Sequence, residues 1–493
     1  MRVLYYNWVD YLDAEQRGGG VTLYQRNVMA GVQDRSDVEA VFISSGTSYD
    51  LPVRAPRWEA VRHGPQADRA RRYEVVNSGV LAPAHHSFGD PAQLSHDATR
   101  DVFFDFVART GPYDVIHFNN LEGLPADVLQ IKEQYPDTQI ILSLHNYYPI
   151  CPQVNLWFSE IKSCEDFEGG AHCVQCLPYQ HDGRLLRTAN GVSYRLRCAG
   201  LEPGTATYDV AFRWIVRVGG RVSRALRWVR AGGRKSTDAP VLGPDTGRDR
   251  AAAFAARRNL MMSLINAHCD RVLCVSDAVR VLAERYGIDA ALTATNYIGT
   301  RAADLYDQTQ AAPQDAKKKT LTLGYLGYMR RDKGFYFLLD ALEALPKDMA
   351  GRIRIVIAAR SVDRTTMARV TRLGDHLGQV IYRDGYTHDD LDAVLEQVDV
   401  GVVPVLWHDN LPQVAIEMHA RHIPLLTSDM GGAAELGNCA QMTFTAGDVD
   451  SFAARVAGLL AGDVDFADYW SGAMAPVTMP AHMDHLIQTY TQS

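Results

Sequence analysis

The chain has 493 residues, of which 47% are hydrophobic and 22% charged. This composition is typical of globular domains and excludes a disordered or low-complexity protein, while the length predicts two large domains or about three smaller ones. The net charge of -8 argues against general nucleic-acid binding. Because the sequence has no apolar run long enough to span a membrane and no signal-peptide pattern, we expect a cytoplasmic protein.

The first half of the chain alternates short apolar runs with longer helical patterns. The runs with the length of buried parallel strands are residues 3–8, 38–44, 114–118, 139–145 and 271–276. Helical spacing of apolar residues occurs between them, at residues 22–33, 125–134 and 249–269. This alternation predicts a doubly wound α/β domain, which we assign to residues 1–306.

The polar segment at residues 307–319 predicts a linker, because it has almost no large apolar side chains. The strand pattern then restarts at residues 321–327, 352–359, 380–384, 400–405, 424–428 and 441–445. Helices are predicted among them at residues 335–345, 388–397, 413–420 and 450–460. A second doubly wound domain is therefore expected at residues 320–465.

The last segment, residues 466–493, includes a helical pattern from residue 480 onward. It is too short to form a core of its own. We expect it to pack back on the N-terminal domain.

A basic loop follows the first strand of the second domain. Gly327 ends that strand, and Arg330, Arg331 and Lys333 precede the next helix. Backbone amides at a helix start, together with Lys333 and one of the arginines, suit a diphosphate. An exposed basic turn that caps a helix is the alternative interpretation.

Two carboxylates flank the next candidate site. Asp409 follows an apolar strand, and Glu417 lies eight residues later on the following helix, so both can face one cleft and bind sugar or ribose hydroxyls. A helix cap and a solvated helix position would explain the same residues. Gly431 and Gly432, after the next strand, permit close approach of the backbone to a ligand.

The block at residues 327–435 resembles the donor half of retaining GT-B glycosyltransferases of family 4, with a Lys-Gly pair, two carboxylates and a Gly-Gly-x-x-Glu segment in order. The first half agrees, since glycines at residues 18–20 follow the first strand and the segments at residues 114–123 and 141–152 resemble two more family segments. The resemblance covers residues 1–465. It implies a GT-B fold, in which two Rossmann-like domains face each other across a cleft.

The resemblance also implies a hexosyltransferase that uses a nucleotide-diphosphate sugar, retains configuration and needs no cofactor or catalytic metal. It assigns the donor diphosphate to Lys333, the nucleotide ribose to Glu417 and the transferred sugar to Asp409. It places His145 at the reaction centre near that sugar. The donor-binding residues are expected to be Gly18, Gly19, Gly20, Gly327, Arg330, Arg331, Lys333, Asp409, Asn410, Leu411, Pro412 and Glu417. The acceptor side is expected to comprise Asn119, Asn120, His145 and Asn146.

Two positions depart from the family pattern. Tyr328 stands where the family has an arginine, so neutralisation of the diphosphate is expected from Lys333 with Arg330 or Arg331. Asp409 stands where the family has a glutamate, and its side chain is one methylene shorter. This difference is expected to alter sugar preference or activity.

Four of the eight cysteines lie in one loop, residues 151–176. Cys151, Cys164, Cys173 and Cys176 suit a structural tetrahedral zinc, and the last two have zinc-knuckle spacing. Free thiols are the equal alternative, and an iron-sulfur cluster is a third.

An insert at residues 208–248 contains a strongly basic stretch. Eight Lys and Arg residues and no acidic residue occur between residues 212 and 235. On a helical projection the arginines occupy one arc and Trp214, Ile215 and Val218 belong to the opposite one, which is typical of an interfacial helix on anionic lipid. A helix that covers the core with a solvated basic face is the alternative, and Gly219 and Gly220 weaken the helix prediction.

The sequence as a whole predicts a glycosyltransferase that extends a lipid-linked glycan or a surface polysaccharide precursor, peripherally on the inner face of the membrane. A hexosyl phosphorylase or a nucleotide-sugar epimerase shares the fold. A catalytically degenerate GT-B protein that binds glycan or nucleotide is the alternative of a different class, supported by Tyr328 and Asp409. A redox or metal-sensor role of the cysteine loop is a further hypothesis.

Overall fold

The computed structural model describes residues 1–14, 17–177, 183–230, 244–311 and 319–491, without the side chains of residues 219–230, 244–246 and 388. Part of the expected linker, residues 312–318, and part of the basic insert, residues 231–243, therefore lie outside the described residues. So do the side chains of the arginines at positions 221 to 230. The chain forms two α/β domains, each built on its own parallel sheet, as the alternating pattern predicts.

The N-terminal domain contains an eight-stranded sheet and a small hairpin. Its strands are β1 (Arg2–Tyr6), β2 (Glu39–Ser48), β3 (Arg57–Ala60), β4 (Arg72–Val76), β5 (Val115–Phe118), β6 (Gln139–Leu144), β7 (Trp157–Phe158), β8 (Lys162–Ser163), β9 (Arg271–Cys274) and β10 (Thr293–Thr295). The sheet order is β10-β9-β6-β5-β1-β2-β4-β3. Its pairs are parallel except for β3, which is antiparallel to β4. β7 and β8 form the antiparallel hairpin within the cysteine loop.

The C-terminal domain has a six-stranded parallel sheet. Its strands are β11 (Leu321–Gly327), β12 (Ile353–Ala359), β13 (Gln379–Asp384), β14 (Val400–Val403), β15 (Leu425–Ser428) and β16 (Thr443–Phe444). They are ordered β13-β12-β11-β14-β15-β16. The central strands are buried on both faces, which explains why they read as continuous apolar runs.

Helices cover both sheets. They are α1 (Gly19–Gln33), α2 (Gln66–Arg69), α3 (Asp97–Thr110), α4 (Ile131–Gln134), α5 (Ala171–Cys176), α6 (Gly183–Cys198), α7 (Ala206–Arg230), α8 (Pro244–His268), α9 (Asp277–Arg285), α10 (Phe335–Glu343), α11 (Lys347–Ala350), α12 (Arg364–Arg372), α13 (Leu391–Leu395), α14 (Gln413–His419), α15 (Ala433–Gly437), α16 (Val449–Ala461), α17 (Phe466–Gly472) and α18 (Met479–Thr491). Among the described residues, no helix combines the length and apolar character that a membrane span requires.

One segment predicted as an α-helix is mostly a 3₁₀ helix. Residues 125–134 form a 3₁₀ helix, Ala126–Gln130, followed by the single turn of α4. Residues 126–129 are all buried, so tertiary packing sets the local backbone where the sequence spacing predicts an amphipathic α-helix.

The C-terminal segment divides between the two domains. α18 packs against α1 and β1, with Met483, Leu486 and Tyr490 in that core. α17 instead packs in the C-terminal domain, where Tyr469 is buried and its hydroxyl accepts a hydrogen bond from the backbone N–H of Leu425. The expectation that all of residues 466–493 return to the N-terminal domain is therefore wrong for α17, because its aromatic side chains complete the core beside α15.

Candidate active site

A cleft of about 720 Å³ lies between the two domains, within the size range of small-molecule sites. The carboxyl ends of β6, β11 and β14 meet at it, which is where doubly wound sheets bind ligands. The predicted site residues that line it are Gly20 and His145 from the N-terminal domain, and Gly327, Lys333, Asp409, Asn410, Leu411, Pro412 and Glu417 from the C-terminal domain.

Lys333 and Asp409 form an ion pair in the wall of the cleft. Lys333 Nζ lies 2.6 Å from Asp409 Oδ2 and 4.9 Å from the centroid of the Trp407 ring. Asp409 is buried, and Lys333 is about a quarter exposed at its side chain. The ammonium group is thus held in place by a carboxylate and an aromatic face, and it remains open to the cleft.

The two predicted arginines do not join Lys333. Arg330 binds the buried Asp332, with Nε 2.9 Å from Oδ1, and Arg331 lies over the ring of Tyr336. Neither belongs to the described residues that line the cleft. The prediction that one of them completes the diphosphate site is not supported, because the buried carboxylate of Asp332 needs a cation and takes Arg330. Arg360, which sequence reasoning missed, does line the cleft.

The two carboxylates face one cleft, as their spacing predicts. α14 begins directly after Pro412, and Glu417, one turn into that helix, is 7% exposed and lines the cavity with Asp409. The loop between them is fixed to the other domain, since Ser276 Oγ donates to the Asn410 carbonyl at 2.6 Å. The geometry therefore places Glu417 and Asp409 along the same wall.

The glycine pair after β15 packs under this loop. A Cβ on Gly431 would lie 2.0 Å from the Asp409 carbonyl oxygen, and one on Gly432 would lie 2.4 Å from that of Asn410. Gly431 also has a positive φ of 74°. The close approach that these glycines permit is therefore to the backbone of the Asp409 loop, whereas the sequence analysis expected a ligand.

Of the N-terminal glycines, Gly20 borders the cleft. A Cβ at Gly20 would lie 3.6 Å from Nε2 of Gln413, across the domain boundary. Gly18 faces inward, where a Cβ would lie 2.1 Å from Thr22 Oγ1, and Gly19 has a φ of 55° at the start of α1. Gly18 and Gly19 are not among the described lining residues, so they shape the turn before the helix.

His145 directly follows β6 and borders the cleft from the N-terminal side. Its Nε2 lies 3.2 Å from Asn119 Oδ1, and its ring packs 4.5 Å from that of Tyr24, centroid to centroid. Burial, with a smaller contribution from the charge of His482, lowers the pKa of His145 to about 3. The imidazole is therefore neutral near pH 7 and acts through hydrogen bonding.

The three asparagines predicted for the acceptor side lie behind the cleft wall. Asn119 bonds Gln25 in addition to His145, and Asn120 Nδ2 donates to Asn7 Oδ1 at 2.6 Å. Asn146 Nδ2 donates to Glu122 Oε1 at 2.8 Å. None of the three is among the described lining residues, and their hydrogen bonds join the loops around His145 to one another.

The four loop cysteines form no disulfide bond. Cys173 is buried, and the Cys176 thiol donates to Gln153 Oε1 at 2.8 Å. Burial raises the pKa of Cys173 to about 12 and that of Cys164 to about 11. Within the described part of the chain, no three His, Cys, Asp or Glu side chains are grouped to hold a metal ion, so the zinc site stays a prediction.

Two glutamates join the domains: Glu435, which ends the Gly-Gly-x-x-Glu segment, and Glu165, which the sequence did not single out. Glu435 accepts from the backbone N–H groups of Asp277 and Ala278, at 3.0 and 2.7 Å, and from the Tyr297 hydroxyl. Glu165, beside Cys164, lies 2.9 Å from His408 Nε2. Both carboxylates therefore connect the N-terminal domain to loops of the donor half.

Comparison with known proteins gives a family match over the C-terminal domain. The family model of glycosyl transferases group 1 matches residues 320–462. A search of curated protein sequences found no significant match.

Solved structures of similar fold span the whole chain. A sucrose-phosphate synthase from Thermosynechococcus elongatus is 14% identical with a TM-score of 0.55, over 100% of this chain and 98% of that one. Anabaena HepE in complex with UDP is also 14% identical, with a TM-score of 0.55 and 100% of each chain covered. The lipopolysaccharide outer core galactosyltransferase WaaB is 12% identical, with a TM-score of 0.54 over 99% of this chain and 98% of that one.

The fold is therefore GT-B, as the sequence resemblance implies. Residues 320–462 match the glycosyl transferases group 1 model, and the whole chain shares the fold of these solved structures.

Proposed function

We propose that the protein transfers a hexosyl group from a nucleotide-diphosphate sugar to a hydroxyl of a lipid-linked glycan or surface polysaccharide precursor. The observation that carries this proposal is the cleft wall, where Lys333, Asp409 and Glu417 lie beside a large cavity. A cation suits the diphosphate, and paired carboxylates suit the hydroxyls of the sugar and the ribose.

UDP-hexoses are the first donors to consider. Anabaena HepE, a protein of similar fold, has been solved with UDP and with UDP-glucose. The similarity of fold supports a nucleotide-sugar ligand here without fixing the base or the sugar.

The reaction breaks the bond between the anomeric carbon and a diphosphate oxygen. Negative charge then grows on the diphosphate while positive character grows on the sugar ring, so the ammonium of Lys333 stabilises the leaving group in the transition state. The acceptor oxygen bonds the anomeric carbon and its proton passes to the departing diphosphate. We propose attack from the face that the diphosphate leaves, with retention of configuration.

Lys333 also makes a metal ion unnecessary in this scheme. A fixed cation at the leaving group supplies the charge that a divalent ion supplies in other transferases. His145, neutral near pH 7, is suited to hydrogen-bond the transferred sugar across the cleft from Asp409.

Release of nucleotide from UDP, GDP, ADP and TDP sugars, with EDTA present, tests the proposal. We expect one donor to be turned over by the wild type and lost in Glu417→Ala, while Glu396→Ala, at an exposed position of the same domain, behaves as the wild type. Turnover that occurs without EDTA and is lost when EDTA is added would contradict metal independence. Absence of turnover and of donor binding by calorimetry would contradict the transferase itself.

One observation favours a second candidate, a GT-B protein that binds nucleotide sugar without turnover. Tyr328 is exposed at the rim of the cleft where the family has an arginine, which leaves the diphosphate side with fewer cations. Tight donor binding by calorimetry, with no nucleotide release in the presence of any glycan acceptor, is the result that this candidate predicts.

A further inference from the structure

One face of α7, exposed within the described part of the chain, combines apolar and basic side chains. Tyr208 is buried and Phe212 is half-buried, on the side of the helix that packs on α6. On the other side Val210, Trp214 and Val218 are exposed, with Trp214 at 66%. Their spacing of four residues places these three on one stripe that runs along the helix.

This stripe is costly to leave in water. Burying one large apolar side chain is worth roughly 1.5 to 3 kcal/mol, and tryptophan exposes the largest apolar area of any residue. An exposed tryptophan with a valine one turn before it and one turn after it therefore indicates a surface that is covered in use.

Basic side chains run beside the stripe. Arg213 and Arg217 are exposed next to Trp214 on the helix, and Arg213 Nη2 lies 3.9 Å from the exposed carboxylate of Asp209. From residue 210 to residue 235 the sequence has eight Lys and Arg and no Asp or Glu, although the whole chain has a net charge of -8. The surface that covers the stripe must therefore be both apolar and anionic, which describes the interface of an anionic bilayer.

The hairpin of α6 and α7 lies at the cleft edge of the N-terminal sheet. Arg187 of α6 donates to the Gly79 carbonyl at 3.0 Å, and Arg197 donates to Ser48 Oγ at 2.7 Å. These contacts follow the carboxyl ends of β4 and β2, and His145 follows the carboxyl end of β6 in the same sheet. Because the carboxyl ends of parallel strands share one edge, α6, on which α7 packs, lies at the same edge of the sheet as His145.

We propose that α7 docks the protein on an anionic lipid bilayer, with Trp214, Val210 and Val218 inserted at the interface and Arg213 and Arg217 on headgroup phosphates. Docking in this orientation presents the acceptor side of the cleft to the membrane. The proposal deepens the proposed function, because it supplies a membrane-held acceptor, but docking itself requires no donor.

Cosedimentation of the full chain with lipid vesicles, in the absence of nucleotide sugar, tests the docking proposal. One set of vesicles is phosphatidylglycerol and the other is phosphatidylcholine. We expect strong preference for phosphatidylglycerol. Arg213→Glu with Arg217→Glu should weaken that binding by about 25-fold or more, since each basic residue near the surface contributes roughly fivefold. Trp214→Ala should weaken it by about tenfold, from the lost apolar burial.

The matched control is Arg364→Glu with Arg372→Glu, which makes the same change in net charge at exposed positions on α12. It should bind vesicles as the wild type does, and all variants should melt at the wild-type temperature. A blue shift of Trp214 emission with phosphatidylglycerol, taken as the difference between wild type and Trp214→Phe, gives an independent readout.

Equal binding to both vesicle types would overturn the proposal. So would an equal loss of binding in the α7 and α12 variants, or an unshifted Trp214 emission. None of these outcomes bears on donor turnover in solution, so failure of docking and failure of the transferase are distinguished.

Discussion

The ion pair of Lys333 and Asp409 shows how single residues prepare the cleft for its ligand. The ammonium lies 2.6 Å from the carboxylate and over the Trp407 ring, so its position is set before a donor arrives. A charge that is already oriented stabilises a leaving group without the cost of reorganisation. The same pairing partly neutralises Lys333, so donor binding must compete with Asp409 for it.

Replacement of Lys333 tests this role. Lys333→Ala should lower kcat/KM for the donor by roughly 10²- to 10³-fold, the usual effect of removing one preorganised donor from a developing charge. Arg331→Ala, at a nearby cation that lies over Tyr336 outside the cleft lining, should retain wild-type turnover. Equal losses in the two variants would contradict a specific role for Lys333, and nucleotide release measures both.

Tyr328 allows a test in the opposite direction. It is 66% exposed and lines the rim of the cleft, so Tyr328→Arg adds a cation near the expected diphosphate with little change in packing. We expect tighter binding of UDP by calorimetry, by about fivefold, because a partly exposed charge pair contributes up to about 1 kcal/mol. Binding unchanged from the wild type would place the diphosphate away from this rim.

At the scale of elements, periodicity located the strands well because the sheets are buried on both faces. β11 coincides with the predicted residues 321–327, and α14 with all but one residue of its prediction. Sequence reasoning missed β3 and β4, whose runs mix charged and apolar residues near the sheet edge. Edge strands lack the continuous apolar signal of central ones.

The site was predictable where local spacing sets it and not where the burial of a side chain or a long-range contact sets it. Asp409 lies in the loop before α14 and Glu417 lies on α14. Their spacing of eight residues therefore predicts that both line the same wall of the cleft. The capture of Arg330 by Asp332 depends on the burial of that carboxylate, and the bond of Glu435 to α9 joins residues 157 positions apart. Neither leaves a periodic signal in the sequence.

The contact between α9 and Glu435 is an element-scale connection of the two domains. The Glu435 carboxylate accepts hydrogen bonds from two backbone N–H groups at the start of α9, where the helix dipole favours negative charge. Glu435→Gln should lower the free energy of unfolding by about 1.5 to 3 kcal/mol, as expected for hydrogen bonds to a charged group. Glu396→Gln is the matched control on the same domain, and thermal melting measures the stability of both variants. If Glu435→Gln melts at the same temperature as the control, Glu435 does not stabilise the contact between the domains.

At the scale of the whole molecule, α18 joins the end of the chain to its beginning. His482 of α18 lies 2.9 Å from the Tyr24 hydroxyl, and Tyr24 packs on His145. The Nδ1 of His482 lies 2.8 Å from the Tyr297 carbonyl, so Nδ1 donates there and Nε2 accepts from Tyr24. The last helix thus supports the cleft through a histidine that must be neutral.

Because several histidines are buried in the neutral form, we expect the free energy of unfolding to fall in acid. Burial lowers the pKa of His482 and His419 to about 4 and that of His117 to about 3, all below the ordinary value near 6.5. As the pH falls below 6.5 the unfolded chain binds protons that the folded chain excludes, so stability decreases toward the folded pKa. Each such histidine should remove about 2 kcal/mol between pH 7 and pH 5.

His482→Gln isolates one of these contributions. The glutamine cannot titrate, so the variant should lose about 2 kcal/mol less than the wild type between pH 7 and pH 5, whatever its stability at pH 7. Gln488→Ala, at an exposed position of the same helix that carries no titrating group, should follow the wild-type pH dependence. Urea unfolding at the two pH values measures the difference, and a His482→Gln profile parallel to that of the wild type would show that folding does not lower the pKa of His482.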